Sequence, residues 1–149
     1  MNIERIPCQR IFYLRRIGPY GKANKELMIR LKEKLKEENM FGQETIIYGI
    51  AWSDLATPKE KCLYDVCVVV AAEQKPIEGM KETVLENGKY AIFEVKHTKE
   101  AVQHFWTEFS KKKLQEENSF VIDFKRPILE RYTVKQVALG NCEFCVPID

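Results

Sequence analysis

The sequence predicts an α+β protein: two β-α-β-β units in tandem, pseudo-symmetric, with their strands joined in an antiparallel sheet and one helix from each unit packed on it. Two observations carry this. Runs rich in β-branched and aromatic residues recur in the same order around one amphipathic helix in each half. The halves also share wording at a nearly constant offset. Leu31-Lys-Glu-Lys-Leu-Lys-Glu-Glu-Asn39 matches Ser110-Lys-Lys-Lys-Leu-Gln-Glu-Glu-Asn118, 79 positions on, and Cys67-Val-Val matches Cys145-Val-Pro.

Arg10 to Ile17 reads as the first strand, closed by the turn Gly18-Pro19-Tyr20-Gly21. From about Ala23 to Lys36, Leu27, Met28, Leu31 and Leu35 recur at helical spacing while Lys and Glu fill the other face. Strands follow at 44–52 and 63–70, with a loop around Thr57-Pro58 between them. In the second half Lys89 to Val95 is a strand, and Thr98 caps a helix whose Ala101, Val102, Phe105, Trp106 and Phe109 form one stripe. Strands are then expected at 120–124, continuing irregularly into 128–134, and at 142–147. The expected organisation is one domain over 1–149, with a first repeat at about 10–71, a linker at about 72–88 and a second repeat at about 89–149. A groove between related halves is the natural place for a ligand.

The 149 residues carry 24 Lys plus Arg against 22 Asp plus Glu, a net charge of +2, which argues against direct nucleic-acid binding. No apolar run is long enough to cross a bilayer, so no membrane association is expected. Met1 to Arg10 lacks the apolar core of a secretory signal, and five cysteines, an odd number, fit a reducing cytoplasm.

Glu130 is the most informative residue. In an extended segment Ile128, Glu130 and Tyr132 share a face, which sets a carboxylate beside aliphatic and aromatic groups. A carboxylate so placed attracts an organic cation, or acquires a pKa suited to acid–base work. The plainer alternative is a solvent-facing pair with Arg131 or Arg126. An offset of 78 aligns Ile50, Trp52 and Asp54 with Ile128, Glu130 and Tyr132, which would set Trp52 across the groove from Glu130. A planar cation would suit that pair, and a core tryptophan is the alternative. Phe105 and Trp106 read first as core, with Trp106 also available to a ligand, and Tyr13, Tyr20, Tyr48 and Tyr90 fall at strand and turn positions. Cys142-Glu-Phe-Cys145 within a strand has poor geometry for zinc, His97 and His104 lie in no catalytic pattern, and no glycine-rich phosphate loop occurs. No metal or cofactor is expected.

In order along the chain, Gly18-Pro-Tyr20, Tyr48-Gly-Ile50 followed by Asp54, Tyr64-Asp-Val66, Gly88-Lys-Tyr-Ala91, Trp106, Arg126-Pro-x-x-Glu-Arg-Tyr132 and Val146-Pro-Ile148 resemble the GyrI-like family. That family includes effector-binding domains of AraC-type and MerR-type activators and stand-alone DNA gyrase inhibitory proteins. The resemblance covers essentially the whole chain. It implies a hydrophobic pocket between the repeats with the acidic residue matching Glu130 facing lipophilic cations. The sequence departs from the pattern at Leu63, at Val95-Lys-His-Thr98 and at Cys145, a position often aromatic. The expected ligand set is Glu130, Trp52, Trp106, Tyr20, Tyr13, Tyr48, Phe105 and Cys145.

Three functions follow as expectations. The first is a stand-alone binding protein for lipophilic, often cationic or aromatic, small molecules. The second, implied by the resemblance, is a hydrolase of cyclopropane-containing alkylating compounds with Glu130 as the catalytic group. The third is a DNA gyrase inhibitor acting by protein–protein contact, the expected protein partner being gyrase or a separate regulator. With the first strand expected so early, no helix-turn-helix module is anticipated, so any role in transcription is expected to be indirect.

Overall fold

The computed structural model describes residues 1–52 and 56–149. Among these residues eight strands form one antiparallel sheet: β1 (Asn2–Ile6), β2 (Gln9–Ile17), β3 (Ile46–Ala51), β4 (Leu63–Val70), β5 (Lys81–Leu85), β6 (Gly88–Lys96), β7 (Leu129–Thr133) and β8 (Asn141–Ile148). Four α-helices accompany them among the described residues: α1 (Lys22–Glu37), α2 (Lys99–Ser110), α3 (Lys113–Asn118) and α4 (Val134–Ala138). The strand order is β1-β6-β8-β7-β3-β4-β2-β5. Outward from the central β7/β3 pair, both directions meet equivalent strands of the two halves.

β1 and β5 are additions to the sequence-based expectation. Each is short, largely exposed and leads into the long strand of its own half, yet each pairs with the other half's strand: β1 with β6, and β5 with β2. The span 72–88, expected as a linker, therefore contains an edge strand. Both strands carry charge at their centres (Glu4 and Arg5; Glu82), which hides a strand from period-2 pattern reading and protects a sheet edge.

α1 buries Leu27, Leu31 and Leu35 against Phe12, Ile47, Tyr64, Val66 and Val68. Thr98 caps α2 as expected, its hydroxyl accepting from the Ala101 amide at 3.2 Å. The Phe105 ring of α2 stacks on Phe144, 4.1 Å between centroids, within a cluster that includes Ala91, Ile128, Cys142 and Val146. The match between Leu31–Asn39 and Ser110–Asn118 does not extend to backbone shape. α1 runs unbroken, whereas the second half breaks at Lys112, in the left-handed region at φ 59°, and restarts as α3. Phe120–Phe124 contributes a single bridge, Ile122 to Ile148, and no strand. There the Asp123 carboxylate accepts from the Lys125 amide and from the Arg126 guanidinium, which turns the chain away from the sheet.

The opposite sheet face holds a second core of Ile11, Tyr48, Ile50, Cys67, Tyr90, Ile92, Leu129 and Cys145. α1 packs on β2 and β4 and α2 on β6, which leaves β3 and β7 as the seam between the two helices.

Candidate functional site

Glu130 lies on that seam. β7 pairs with β3 in register, Gly49 opposite Glu130, and with β8, Phe144 opposite Glu130. Alternation aims Ile128, Glu130 and Tyr132 to the helix side and Leu129 and Arg131 to the other face, as the two core clusters record. The Tyr132 hydroxyl donates to the Glu130 carboxylate at 2.9 Å. Neither expected cation pairs with Glu130. Arg131 crosses to the opposite face and bridges Glu4 and Glu143, while Arg126 holds Asp123 and the Ile148 carbonyl. Among the described residues no salt bridge reaches Glu130.

Glu130 keeps some accessible surface, yet protein surrounds it deeply. Burial pushes its carboxyl up to about 7, opposed by the Tyr132 hydrogen bond, which favours the ionised form. The charge is felt around it. Burial and then the Glu130 carboxylate raise the Tyr64 and Tyr132 phenols, and burial and Glu130 push the Cys142 thiol up to about 12. Gly49 makes the arrangement possible: a Cβ there would overlap the Tyr64 hydroxyl and approach the Glu130 carboxylate at 3.6 Å. The Tyr20 ring meets Tyr64 edge-on at 6.1 Å, and its hydroxyl donates to the Leu63 carbonyl at 2.9 Å. Trp106 meets Phe144, the neighbour of Glu130 across β7/β8, edge-on at 5.5 Å. The His97 ring lies 5.4 Å from Tyr132.

A carboxylate without a cation, set among phenols and aromatic rings, is the chemistry of a site for an organic cation. The family model of the GyrI-like small molecule binding domain matches residues 1–149. The chain belongs to the GyrI-like family. It is 40% identical over 150 residues to the SPbeta prophage-derived protein YosT of Bacillus subtilis (strain 168), named as a candidate transcriptional regulator, covering 99% of this chain and 98% of YosT. Its fold is similar to the EcmrR C-terminal domain, with a TM-score of 0.72 at 12% identity over 99% of this chain and 96% of that one. The chain spans only 56% of EcmrR as seen in a complex with DNA. A third relative in fold is SAV2435 bound to tetraphenylphosphonium, with a TM-score of 0.60 at 16% identity over 99% of this chain and 93% of that one.

This GyrI-like sheet brings only part of the expected ligand set together. Trp106 and Tyr20 approach the Glu130 seam, and Phe105 supports it from the core beneath α2. Trp52 does not oppose Glu130. Its indole N–H donates to Asp65 at 2.7 Å, and Asp65, only 3% exposed and clasped by Arg15 through two hydrogen bonds, points to the opposite face. The reason is that the offset is not constant. Tyr64 and Cys142 in β4 and β8 stand 78 positions apart, but the paired residues Gly49 and Glu130 stand 81 apart, because the second half's connection between its last two strands is shorter. The residue equivalent to Glu130 is thus Gly49, and Asp54, aligned with Tyr132 by the constant offset, lies outside the described residues. Tyr13, Tyr48 and Cys145 belong to the opposite face: Tyr48 donates to Gln9 at 3.3 Å, Arg15 covers the Tyr13 ring, and burial pushes the Cys145 thiol up to about 12. Cys142 and Cys145 point to opposite faces and cannot share one metal ion. Sequence reasoning did not place Gly49, Tyr64, Cys142 or His97 at the site. Tyr132 carried a signal, its two-residue spacing from Glu130.

Proposed function

We propose that this chain binds lipophilic, cationic or aromatic small molecules in the seam between α1 and α2, with Glu130 as counter-charge and Trp106, Tyr20, Tyr64 and Tyr132 as aromatic surface. One observation carries the reading: Glu130 has a hydrogen-bond donor in Tyr132 but no cation among the described residues. Ionising it in this environment is costly, and a bound cation removes that cost, so ligand charge converts directly into affinity. That SAV2435 holds tetraphenylphosphonium in a similar fold supports the same class of ligand here. The relation to YosT favours a sensing role in transcription, with the ligand as signal.

The test is titration with tetraphenylphosphonium and with a cationic dye, followed by tryptophan fluorescence and calorimetry. Wild-type protein is expected to bind both, and Glu130→Gln to weaken both at least about tenfold at pH 8. Equal affinities of the two proteins would overturn the reading. Sustained turnover of a strained-ring alkylating compound, seen as a water adduct by mass spectrometry and lost in Glu130→Gln, would replace it with hydrolysis. Inhibition of gyrase supercoiling independent of Glu130 would replace it with a protein contact.

A further inference from the structure

The seam has a second electrostatic feature, at its mouth. On α1, Lys22, Lys25, Ile29, Lys32 and Lys36 recur at intervals of three and four, so they share one shoulder of the helix, while Glu26, Glu33 and Glu37 share another. Which shoulder overlooks the seam is settled by Lys34, which lies on the far side of the Leu27, Leu31 and Leu35 stripe: its ammonium stands beside Gly79, just ahead of β5 at the outer edge of the sheet, so the lysine shoulder turns the other way, toward β3 and β7. His97 leads into α2, its ring lies against Tyr132, and the lowering of its pKa by burial and then by the charges of Lys32 and Lys25 agrees with that placement. The lysine shoulder therefore faces the start of α2 across the seam. Neither Lys25 nor Lys32 is in a salt bridge among the described residues. From the sheet outward stand Glu130, its hydrogen-bonded Tyr132 and His97 against that ring, with the lysine shoulder of α1 alongside. Negative charge lies at the bottom and positive charge at the mouth. A purely cationic ligand would satisfy the floor but meet repulsion on entry.

We propose that the site selects amphoteric small molecules, whose cationic aromatic part reaches Glu130 and whose anionic group remains at the mouth against Lys25 and Lys32. This rests on the Glu130 reading above and narrows it to a ligand class. A small molecule is favoured over an acidic protein segment because the unpaired lysines flank the seam above a buried carboxylate, two charges that only a ligand entering the seam meets together. The rim lysines are solvent-facing, so their contribution is modest and screened by salt.

The experiment compares two dyes with one chromophore: rhodamine 6G, a cationic ethyl ester, and rhodamine 19, the corresponding free acid. Affinities are measured by fluorescence anisotropy at pH 8 in low salt for wild type, Glu130→Gln, the double variant Lys25→Gln/Lys32→Gln, and a control of equal charge change on another part of α1, Arg30→Gln/Lys34→Gln. Wild type is expected to prefer the acid by about fivefold, the order of one or two exposed ion pairs. That ratio should fall towards one in Lys25→Gln/Lys32→Gln and in high salt, and persist in the control. Glu130→Gln should weaken both dyes. Equal binding of the dyes by wild type, a preference for the ester, or an equal loss of the ratio in the control each overturns the amphoteric assignment while leaving the Glu130 site standing. If neither dye binds, or if both bind without dependence on Glu130, the underlying reading fails with it.

Discussion

Replacing Glu130 with glutamine should stabilise the protein at alkaline pH, the opposite of what most substitutions at buried positions do. The carboxyl titrates near 4.5 in an unfolded chain and at about 7 in the folded one. A raised acid pKa means that the fold prefers the neutral form. The contribution of Glu130 to stability is therefore most favourable below 4.5, falls as pH rises through the window from 4.5 to 7, and stays lowered above it. At about 1.4 kcal/mol per pH unit, the difference amounts to at most about 3 kcal/mol, and the solvent still reaching Glu130 reduces this to about 1–2 kcal/mol. Glutamine does not titrate, and its side-chain oxygen can still accept from Tyr132. Urea denaturation of both proteins at pH 4.5 and pH 8 measures the effect. The advantage of Glu130→Gln should be small at pH 4.5 and appear at pH 8 with unchanged m-values. A difference independent of pH, or a variant less stable than wild type at pH 8, would refute the claim that burial of an unpaired carboxylate governs this site.

The same titration should show in binding. Affinity for tetraphenylphosphonium should level off above pH 7 and decline by up to about tenfold per unit below it, because protons compete for Glu130, and calorimetry in a pH series reads this directly. Trp52→Phe removes a donor from buried Asp65 while keeping an aromatic ring. It should cost about 1–3 kcal/mol in chemical denaturation but leave the Glu130-dependent affinity within twofold, since Asp65 lies on the other face of the sheet. Thr98→Ala deletes the α2 cap and should cost about 1 kcal/mol, seen as a lower urea midpoint.

What the sequence made legible was what local pattern encodes. β4 was read with its observed ends, α1 and α2 by their apolar stripes, and the face shared by Ile128, Glu130 and Tyr132 by alternation. What escaped depends on distant partners. β1 and β5 are strands because β6 and β2 offer open edges, not because their charged residues favour extension. α4 forms after Thr133, whose hydroxyl accepts from the Gln136 amide, just where the expected strand at 128–134 ends. Tyr64 could be assigned to the Glu130 face only from the pairings of β3 with both β4 and β7. The misplacement of Trp52 had the same origin, an alignment carried across a connection of unequal length.

The corrected register also accounts for why the site holds one carboxylate. Gly49 and Glu130 pair directly, and each sits opposite an equivalent residue on its outer side, Val66 and Phe144. The pseudo-twofold axis therefore passes through this pair. Two glutamates here would stand side by side in a poorly solvated seam, where each would suppress ionisation of the other. The chain instead sets a residue without a side chain against one with a charge, and the flanking positions compensate. Bulky Tyr64 fills the space beside Gly49, and small Cys142, its equivalent, leaves space beside Glu130. This complementarity is testable as a coupling. Gly49→Ala should cost about 1–3 kcal/mol, because the new Cβ meets the hydroxyl of a Tyr64 whose ring is too enclosed to swing aside. Tyr64→Phe removes the clashing oxygen, so Gly49→Ala should cost at least about 1 kcal/mol less in that background, a non-additivity read from a double-mutant cycle in urea. Strictly additive costs would mean that Gly49 is required for the backbone of β3 and not for the space that Tyr64 and Glu130 share.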